Sequence, residues 1–383
     1  MNKQAGEGVT MKRLLFIPLV SLLVLILPGC WDRTDLEDVA FVLVTGLDLD
    51  QDNNLLIYDM VPVNHKEAKD KEIPVKVRAL SLRESRGKID DMFEGIASGR
   101  KLQIVLLGKR LLKHEDWFPL LDVLFRDSKN AITADVVFVD GPVSKVMFSR
   151  FPEVPHLSVH LYETIKSASS RHETVMTTLH ELHRQMYEKG ITPAISDLEL
   201  NERLELKGTA LLNEKGKYVN TLRIQENVLL MILQKQVKKE LPLTLKLPQM
   251  KKSGGGIFDT DAISFTLSDM KTKIKTAYRD GRFQYDIRIR SYITLSEREF
   301  PLDVEKKSGE LEKMIEKKLD QQFENLIKKI QKHKIDPIGL GLYARAHEYK
   351  EWQKVQDDWG EALSKADIKI NVKVKVKSMG PVK

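Results

Sequence analysis

A single cysteine, Cys30, occurs in the 383 residues of the chain. That excludes an intramolecular disulfide and any zinc cluster built from cysteine thiolates. Long apolar runs are scarce as well. The main one, Leu14 to Leu27, rises about 1.5 Å per residue as a helix and falls short of the ~20 residues that a bilayer span requires. Pro18 near its start and Pro28 just after its end argue against a longer span. A strong charge of one sign is also missing. The formal net charge of +7 is spread along the chain, which suits an anionic membrane surface but gives no argument for nucleic acid.

The motifs of common chemistries are incomplete. Gly95 and Gly99 precede Arg100-Lys101-Leu102, whereas a phosphate loop requires Gly-Lys followed by a hydroxyl residue that meets magnesium. The acidic stretch Asp48 to Asn54 has neither the glycine nor the distal glutamate of an EF-hand loop and reads as a hairpin turn. Five of the nine histidines, His156, His160, His172, His180 and His183, lie between Pro155 and Gly190. His180-Glu181-Leu182-His183 is one residue too short for the two-histidine protease motif, which needs both ligands on one helix face at i and i+4. Val175, Leu179, Leu182 and Met186 supply an ordinary apolar stripe with His183 beside it, so solvated or hydrogen-bonded histidines are expected. Nothing pairs a nucleophile with a base, or any two carboxylates as a glycosidase would. No catalytic residue, metal or cofactor is expected.

What the chain does have is a leader. Lys12 and Arg13 precede the apolar run, and Leu27-Pro28-Gly29-Cys30 closes it before Trp31-Asp32. A positive region, an apolar region and a small residue before a break describe an export signal. Cysteine directly after Gly29 makes it similar to a bacterial lipoprotein leader, with Leu27, Pro28 and Gly29 as the lipobox and Cys30 as the lipidated first residue. Pro28 stands where such signals more often carry Ala, Ser or Thr. Met11-Lys12-Arg13 is itself a good leader start, so translation is expected to begin at Met11. Removing residues 1–29 takes away Lys3, Lys12, Arg13 and Glu7, and the formal net charge falls from +7 to +5.

After Cys30 the pattern alternates between strands and helices. Strands are expected over 39–49, 55–63, 75–80, 102–107 and 133–139, with amphipathic helices over 81–97 and 111–125. Leu204–Leu212 and Tyr218–Ile224 read as a hairpin around Asn213-Glu214-Lys215-Gly216, followed by a helix over 228–236. Lys251-Lys252-Ser253-Gly254-Gly255-Gly256 is a linker signal. A second hairpin, 263–276 and 283–295, turns at Arg279-Asp280-Gly281, and a long helix capped by Ser308 runs to Pro337. Trp352, Val355 and Trp359 mark a further helix. Last, Ile368, Ile370, Val372, Val374 and Val376 alternate with Lys369, Lys373, Lys375 and Lys377. That row reads as the solvated face of a half-buried strand whose lysines deter edge pairing, with a membrane or acidic partner as the second reading. The fold expected is α+β, with mixed sheets packed against helices. The domains expected are a leader (1–29), an N-terminal α+β domain (30–190), a small middle domain (191–258) and a C-terminal α+β domain (259–383) with its long helix at 308–335.

The assembled residues resemble the Ger(x)C family of spore germination lipoproteins. Gly29-Cys30-Trp31-Asp32-Arg33 with Leu36-Glu37-Asp38 is similar to the family's mature N-terminus. Lys273-Ile274-Lys275, Gln331, Asp336-Pro337-Ile338-Gly339-Leu340-Gly341, Trp352, Trp359 and the Lys/Val strand ending at Gly380 are similar to its C-terminal signature. Ile104 to Leu111 and Gly208-Thr209-Ala210-Leu211-Leu212 also fit. The resemblance implies a non-enzymatic, three-domain lipoprotein at the outer face of the spore inner membrane, assembled with the A subunit and the polytopic B subunit of a nutrient germinant receptor. It leaves open which nutrient is sensed and whether this subunit touches it. Two other classes are weighed beside it, a solute-binding lipoprotein of a transporter and an extracytoplasmic hydrolase.

Overall fold

The structure, a computed structural model, describes residues 39–63, 70–92, 95–151, 153–237, 239–247, 261–300 and 304–378. Two sheets organise them, and the fold is α+β. The larger sheet has eight strands in the order β10-β9-β8-β7-β6-β2-β3-β4. They are β2 (Val44–Leu49), β3 (Leu55–Pro62), β4 (Glu72–Arg78), β6 (Ile104–Gly108), β7 (Asp135–Val139), β8 (Ala194–Leu200), β9 (Leu204–Leu212) and β10 (Tyr218–Arg223). Its four central strands, β2, β6, β7 and β8, run parallel. A two-stranded parallel sheet, β1 (Val39–Phe41) and β5 (Ile96–Ser98), sits apart.

The innermost strands β6 and β7 carry continuous apolar runs, Ile104–Leu107 and Val136–Val139, because both faces are covered. Val105, Leu107, Val136 and Phe138 point into one core with Trp117, Leu121, Leu179 and Leu182. Ile104, Leu106, Val137 and Val139 point into the other, against Val143, Met147, Leu161 and Ile165. The helices supplying these layers are α1 (Leu82–Asp90), α2 (Asp122–Arg126), α3 (Val143–Met147), α4 (Leu157–Ser170) and α5 (Leu179–Tyr187).

The smaller sheet has the order β11-β12-β13-β14, with β11 (Leu241–Lys246), β12 (Ala262–Arg279), β13 (Arg282–Arg298) and β14 (Asp367–Ser378). Asp280 (φ 53°) and Gly281 (φ 74°) close the β12–β13 hairpin in the left-handed conformation that its tight turn requires. One face packs on α6 (Ile224–Leu233) and on the long helix α7 (Val304–Lys332), with Phe283, Tyr285, Ile287 and Ile289 meeting Leu311, Ile315, Leu319 and Phe323. Short helices α8 (Leu340–His347), α9 (Tyr349–Val355) and α10 (Trp359–Ser364) follow. β14 is an edge strand, and α7 closes its edge. Asp320, Glu316 and Glu312 accept the amides of Val372, Val374 and Val376 at 2.8, 3.1 and 2.9 Å. The match is geometric: four helical residues rise about 6 Å, nearly the ~6.6 Å of two strand residues.

Several expected elements differ. The helix over 81–97 ends at Asp90, and residues 96–98 form β5 instead. Gly95 takes a positive φ (115°), and the Asp90 carboxylate accepts the Ala97 amide at 2.7 Å. The helix over 111–125 is two 3₁₀ turns and the short α2, with Pro119 and the bond from Trp117 Nε1 to Gly216 O (2.9 Å) interrupting it. The strand over 39–49 splits into β1 and β2 because the Val42 amide bonds to Ser98 O and the Leu43 amide to Met60 O, both at 3.0 Å. The stretch 191–258, expected as a middle domain, is divided between sheets: β8 pairs with β7 in the larger one and β11 with β12 in the smaller. A short helical turn from Val304 precedes the long helix, and the non-helical Lys307 (φ −120°, ψ 19°) separates it from the regular run that begins at the expected Ser308.

Candidate functional site

Cys30, with Leu27, Pro28, Gly29 and Met11, lies outside the described residues, as does the glycine-rich stretch 251–256. The first described residue, Val39, stands nine positions after Cys30, so the chain between them spans at most about 30 Å. Val39 lines a cleft of about 610 Å³ with Arg83, Arg86, Asp90, Arg100, Asp127 and Asn130. Arg86 is fixed there, donating to Asp127 Oδ2 at 2.9 Å and Asn130 Oδ1 at 2.8 Å. That guanidinium holds the Asp127 carboxyl below the usual range. Beneath the cleft, Asp59 is buried and accepts from Thr45 Oγ1 at 2.8 Å. Burial pushes its carboxyl up to about 6, against that hydrogen bond and the positive charge of Arg86.

Part of the C-terminal signature, Gly339, Gly341 and Trp359, converges on Asp336, which is fully buried. Its Oδ1 accepts the Gly339 amide, and its Oδ2 accepts the Gly341 amide and Trp359 Nε1, all at 2.8 Å. Burial raises this carboxyl, while the three donors favour its ionised form. The backbone of Asp336 is tied to the larger sheet's side of the molecule. Its amide donates to Thr192 Oγ1 at 3.0 Å, and the Thr192 amide donates to its carbonyl at 2.9 Å. Gly190 and Gly341 complete the contact. A Cβ on Gly190 would stand 2.8 Å from the Gly341 carbonyl carbon, so both positions need glycine for this approach. Around the node, Tyr285 Oη donates to Leu340 O at 3.0 Å, and Gln331 Nε2 to Leu363 O and Ala366 O at 3.0 and 2.8 Å. The 336–341 stretch with Trp359 is thus a buried latch joining the two sheets. That role was not legible beforehand, because nothing local to residues 336–341 points to Thr192 or Gly190.

The histidines are dispersed. His183 packs on Phe125 (ring centroids 4.6 Å apart), Tyr187 and Phe118. His156 Nδ1 lies 3.6 Å from Glu72 Oε1. Ser158 joins that pair, but its buried hydroxyl and amide both donate to Glu72. A serine bonded to a carboxylate and not to an imidazole lacks the base that would activate it; Glu72 instead caps the start of α4. Among the described residues no three His, Cys, Asp or Glu side chains gather as a metal site, and no helix is long and apolar enough to cross a membrane. A second cleft, of about 890 Å³, runs along β10 and the start of α6, lined by Asp140, Lys207, Tyr218, Asn220, Thr221 and Arg223 among others. Lys207 reaches Asp140 and Glu199 at 2.9 and 2.8 Å, and Lys109 also pairs with Asp140.

Comparison with known proteins bears on both halves. Residues 32–200 match the family described as spore germination protein N-terminal domain, and residues 207–380 the family described as spore germination B3/GerAC like, C-terminal. Spore germination protein B3 of Bacillus subtilis (strain 168) is 24% identical over 381 residues, covering 94% of this chain and 96% of its own. Spore germination protein KC of the same organism is 21% identical over 416 residues, covering 96% of each chain. Spore germination protein A3 is 24% identical over 384 residues, with 93% and 95% covered. The crystal structure of the GerBC protein superposes with a TM-score of 0.55 at 18% identity, covering 90% of this chain and all of that one, and supports the fold.

Proposed function

The chain belongs to the GerAC-like family of spore germination proteins, and from that premise we propose that it is the lipid-anchored, non-enzymatic subunit of a nutrient germinant receptor. A role in spore germination follows from the family. The observation carrying the finer reading is Cys30, placed after Leu27-Pro28-Gly29 at the end of an apolar leader, in a chain that its relatives match nearly end to end.

A diacylglyceryl thioether on Cys30 with an acylated amine buries several acyl chains, at about 0.8 kcal/mol per CH₂, and two or more chains make anchoring stable. The anchor confines the two-sheet body to the outer face of the spore inner membrane. It thereby raises the body's effective concentration near membrane-embedded A and B subunits. No catalytic step is assigned: Asp336 and Glu72, the buried carboxylates described above, accept hydrogen bonds that hold the fold together.

Cys30→Ala tests this. The protein is expected to leave the membrane fraction, and nutrient germination to weaken or fail. Full membrane retention with normal germination would refute the anchor.

A solute-binding lipoprotein of a transporter is the second reading, and the 890 Å³ cleft is its natural place. Its lining comes from one sheet edge and α6, however, and not from two α/β lobes closing on each other. Calorimetric titration of the processed chain with candidate nutrients separates the two.

A further inference from the structure

The β12–β13–β14 sheet has one face in the core and one outside. The strand register brings lysines that are scattered in sequence onto that outer face. Lys271 stands opposite Arg290, which stands opposite Lys373. Lys273 stands opposite Arg288, and Lys375 opposite Tyr292. Some of these cations are neutralised: Arg288 pairs with Asp286, and Lys373 with Glu316. Lys271, Lys273, Lys275, Arg290 and Lys375 are exposed and have no carboxylate at ion-pair distance among the described residues.

A solvated face requires polar residues, but it does not require like charges placed directly across from each other. Cross-strand like pairs destabilise a sheet, so folding alone does not account for the Lys271–Arg290–Lys373 row. We propose that this face is an electrostatic docking surface for an anionic phospholipid membrane. Lysine is a compact, non-directional charge suited to mobile headgroups, whereas the cores of protein interfaces are depleted of lysine and built on apolar anchors. Four of the five unpaired cations are lysines, and among the described residues the only large ring on this face is Tyr292, which Lys377 already covers at 5.8 Å. The inference takes its biological setting from the proposed membrane location, but the contact itself does not depend on Cys30. Lipidation and the basic face would then act as two membrane signals, one permanent and one dependent on salt and lipid charge.

The test uses the processed chain from residue 30 with Cys30→Ala, so that neither leader nor lipid contributes. It is sedimented with phosphatidylcholine vesicles with or without about 30% phosphatidylglycerol, each basic residue near the surface contributing about fivefold in affinity. Binding is expected only with phosphatidylglycerol and is expected to fall as salt rises. Replacing Lys271, Lys273, Lys275, Arg290 and Lys375 with glutamine is expected to weaken binding at least about 100-fold. The same change at five exposed lysines elsewhere (Lys113, Lys145, Lys217, Lys328 and Lys350) is expected to leave it within about threefold. Lys271→Glu alone puts an opposite charge beside Arg290, protects the fold, and is expected to weaken binding about 25-fold. Three results would overturn the proposal: no dependence on phosphatidylglycerol, equal losses in the two five-residue variants, or binding to polyglutamate with none to vesicles. None of them bears on the anchor, which is read separately from membrane retention of the lipidated protein.

Discussion

The two sheets of this molecule handle charge in opposite ways. The eight-stranded sheet is covered on both faces and takes carboxylates inside. Asp59, Asp135 and Asp197 on β3, β7 and β8 are all buried, and burial pushes each up to about 6. The four-stranded sheet is covered on one face only and keeps its charges outside. A row of cations stands opposite one another at Lys271, Arg290 and Lys373, and Asp286 is in register between Lys275 and Lys369. The first arrangement belongs to a scaffold, in which each polar group is a stability term. The second belongs to a surface, whose composition is free of packing and so available for binding. Between them, the latch at Asp336 makes one body of two differently built parts.

The largest effect that would break this comparison lies at the latch. Asp336→Ala leaves three buried donors without an acceptor and is expected to cost about 3–5 kcal/mol in urea denaturation. A loss below about 1 kcal/mol would show that the sheets are held together elsewhere.

Next comes the doubly covered sheet. Leu106 is fully buried on β6, so Leu106→Ala is expected to cost about 3 kcal/mol by the same measurement.

Asp135 gives a smaller effect with a sign that depends on pH. One of its carboxylate oxygens has no hydrogen-bond partner among the described residues, and burial is the sole cause of its upward shift to about 6. A carboxyl raised in the folded state binds its proton there longer than in the unfolded chain, so its contribution is fully present below the unfolded value of 3.8 and is lost as pH rises through about 6. Asp135→Asn is therefore expected to stabilise the protein by about 1–2 kcal/mol at neutral pH and to flatten the fall in stability between about pH 4 and 6. An unchanged pH profile would contradict this.

The smallest effect is on the outer face. Lys273→Ala is expected to stay within about 0.5 kcal/mol of the parent in denaturation, in contrast to Leu106→Ala. A cost above about 1 kcal/mol would mean that the face is structural.

The same contrast decides what could be read from the sequence. The C-terminal hairpin and β14 alternate because one face is wet, and the period-two pattern located both, including the turn at Asp280-Gly281. The continuous apolar runs of β6 and β7 were legible as strands because both faces are covered. Short apolar segments misled where long-range bonds decide. Met92 and Ile96 keep helical spacing yet are exposed, and residues 96–98 leave the helix to pair with β1. The division of 191–258 between the sheets was hidden for a similar reason, since hydrophobic periodicity identifies a strand but not its neighbour. Of the proposed site, the residues around Cys30 read in the sequence as a lipoprotein leader, and they lie outside the described residues. The latch was visible only as a set of similar residues, because its bonds cross from Asp336 to Thr192.

The measurement that tests the account most directly is crosslinking in intact spore membranes, followed by purification of this chain and identification of the attached peptides. A lipid-anchored receptor subunit is expected to carry peptides of the A and B germinant receptor subunits. Recovery from the soluble fraction without them, or attached to transporter components instead, would contradict it.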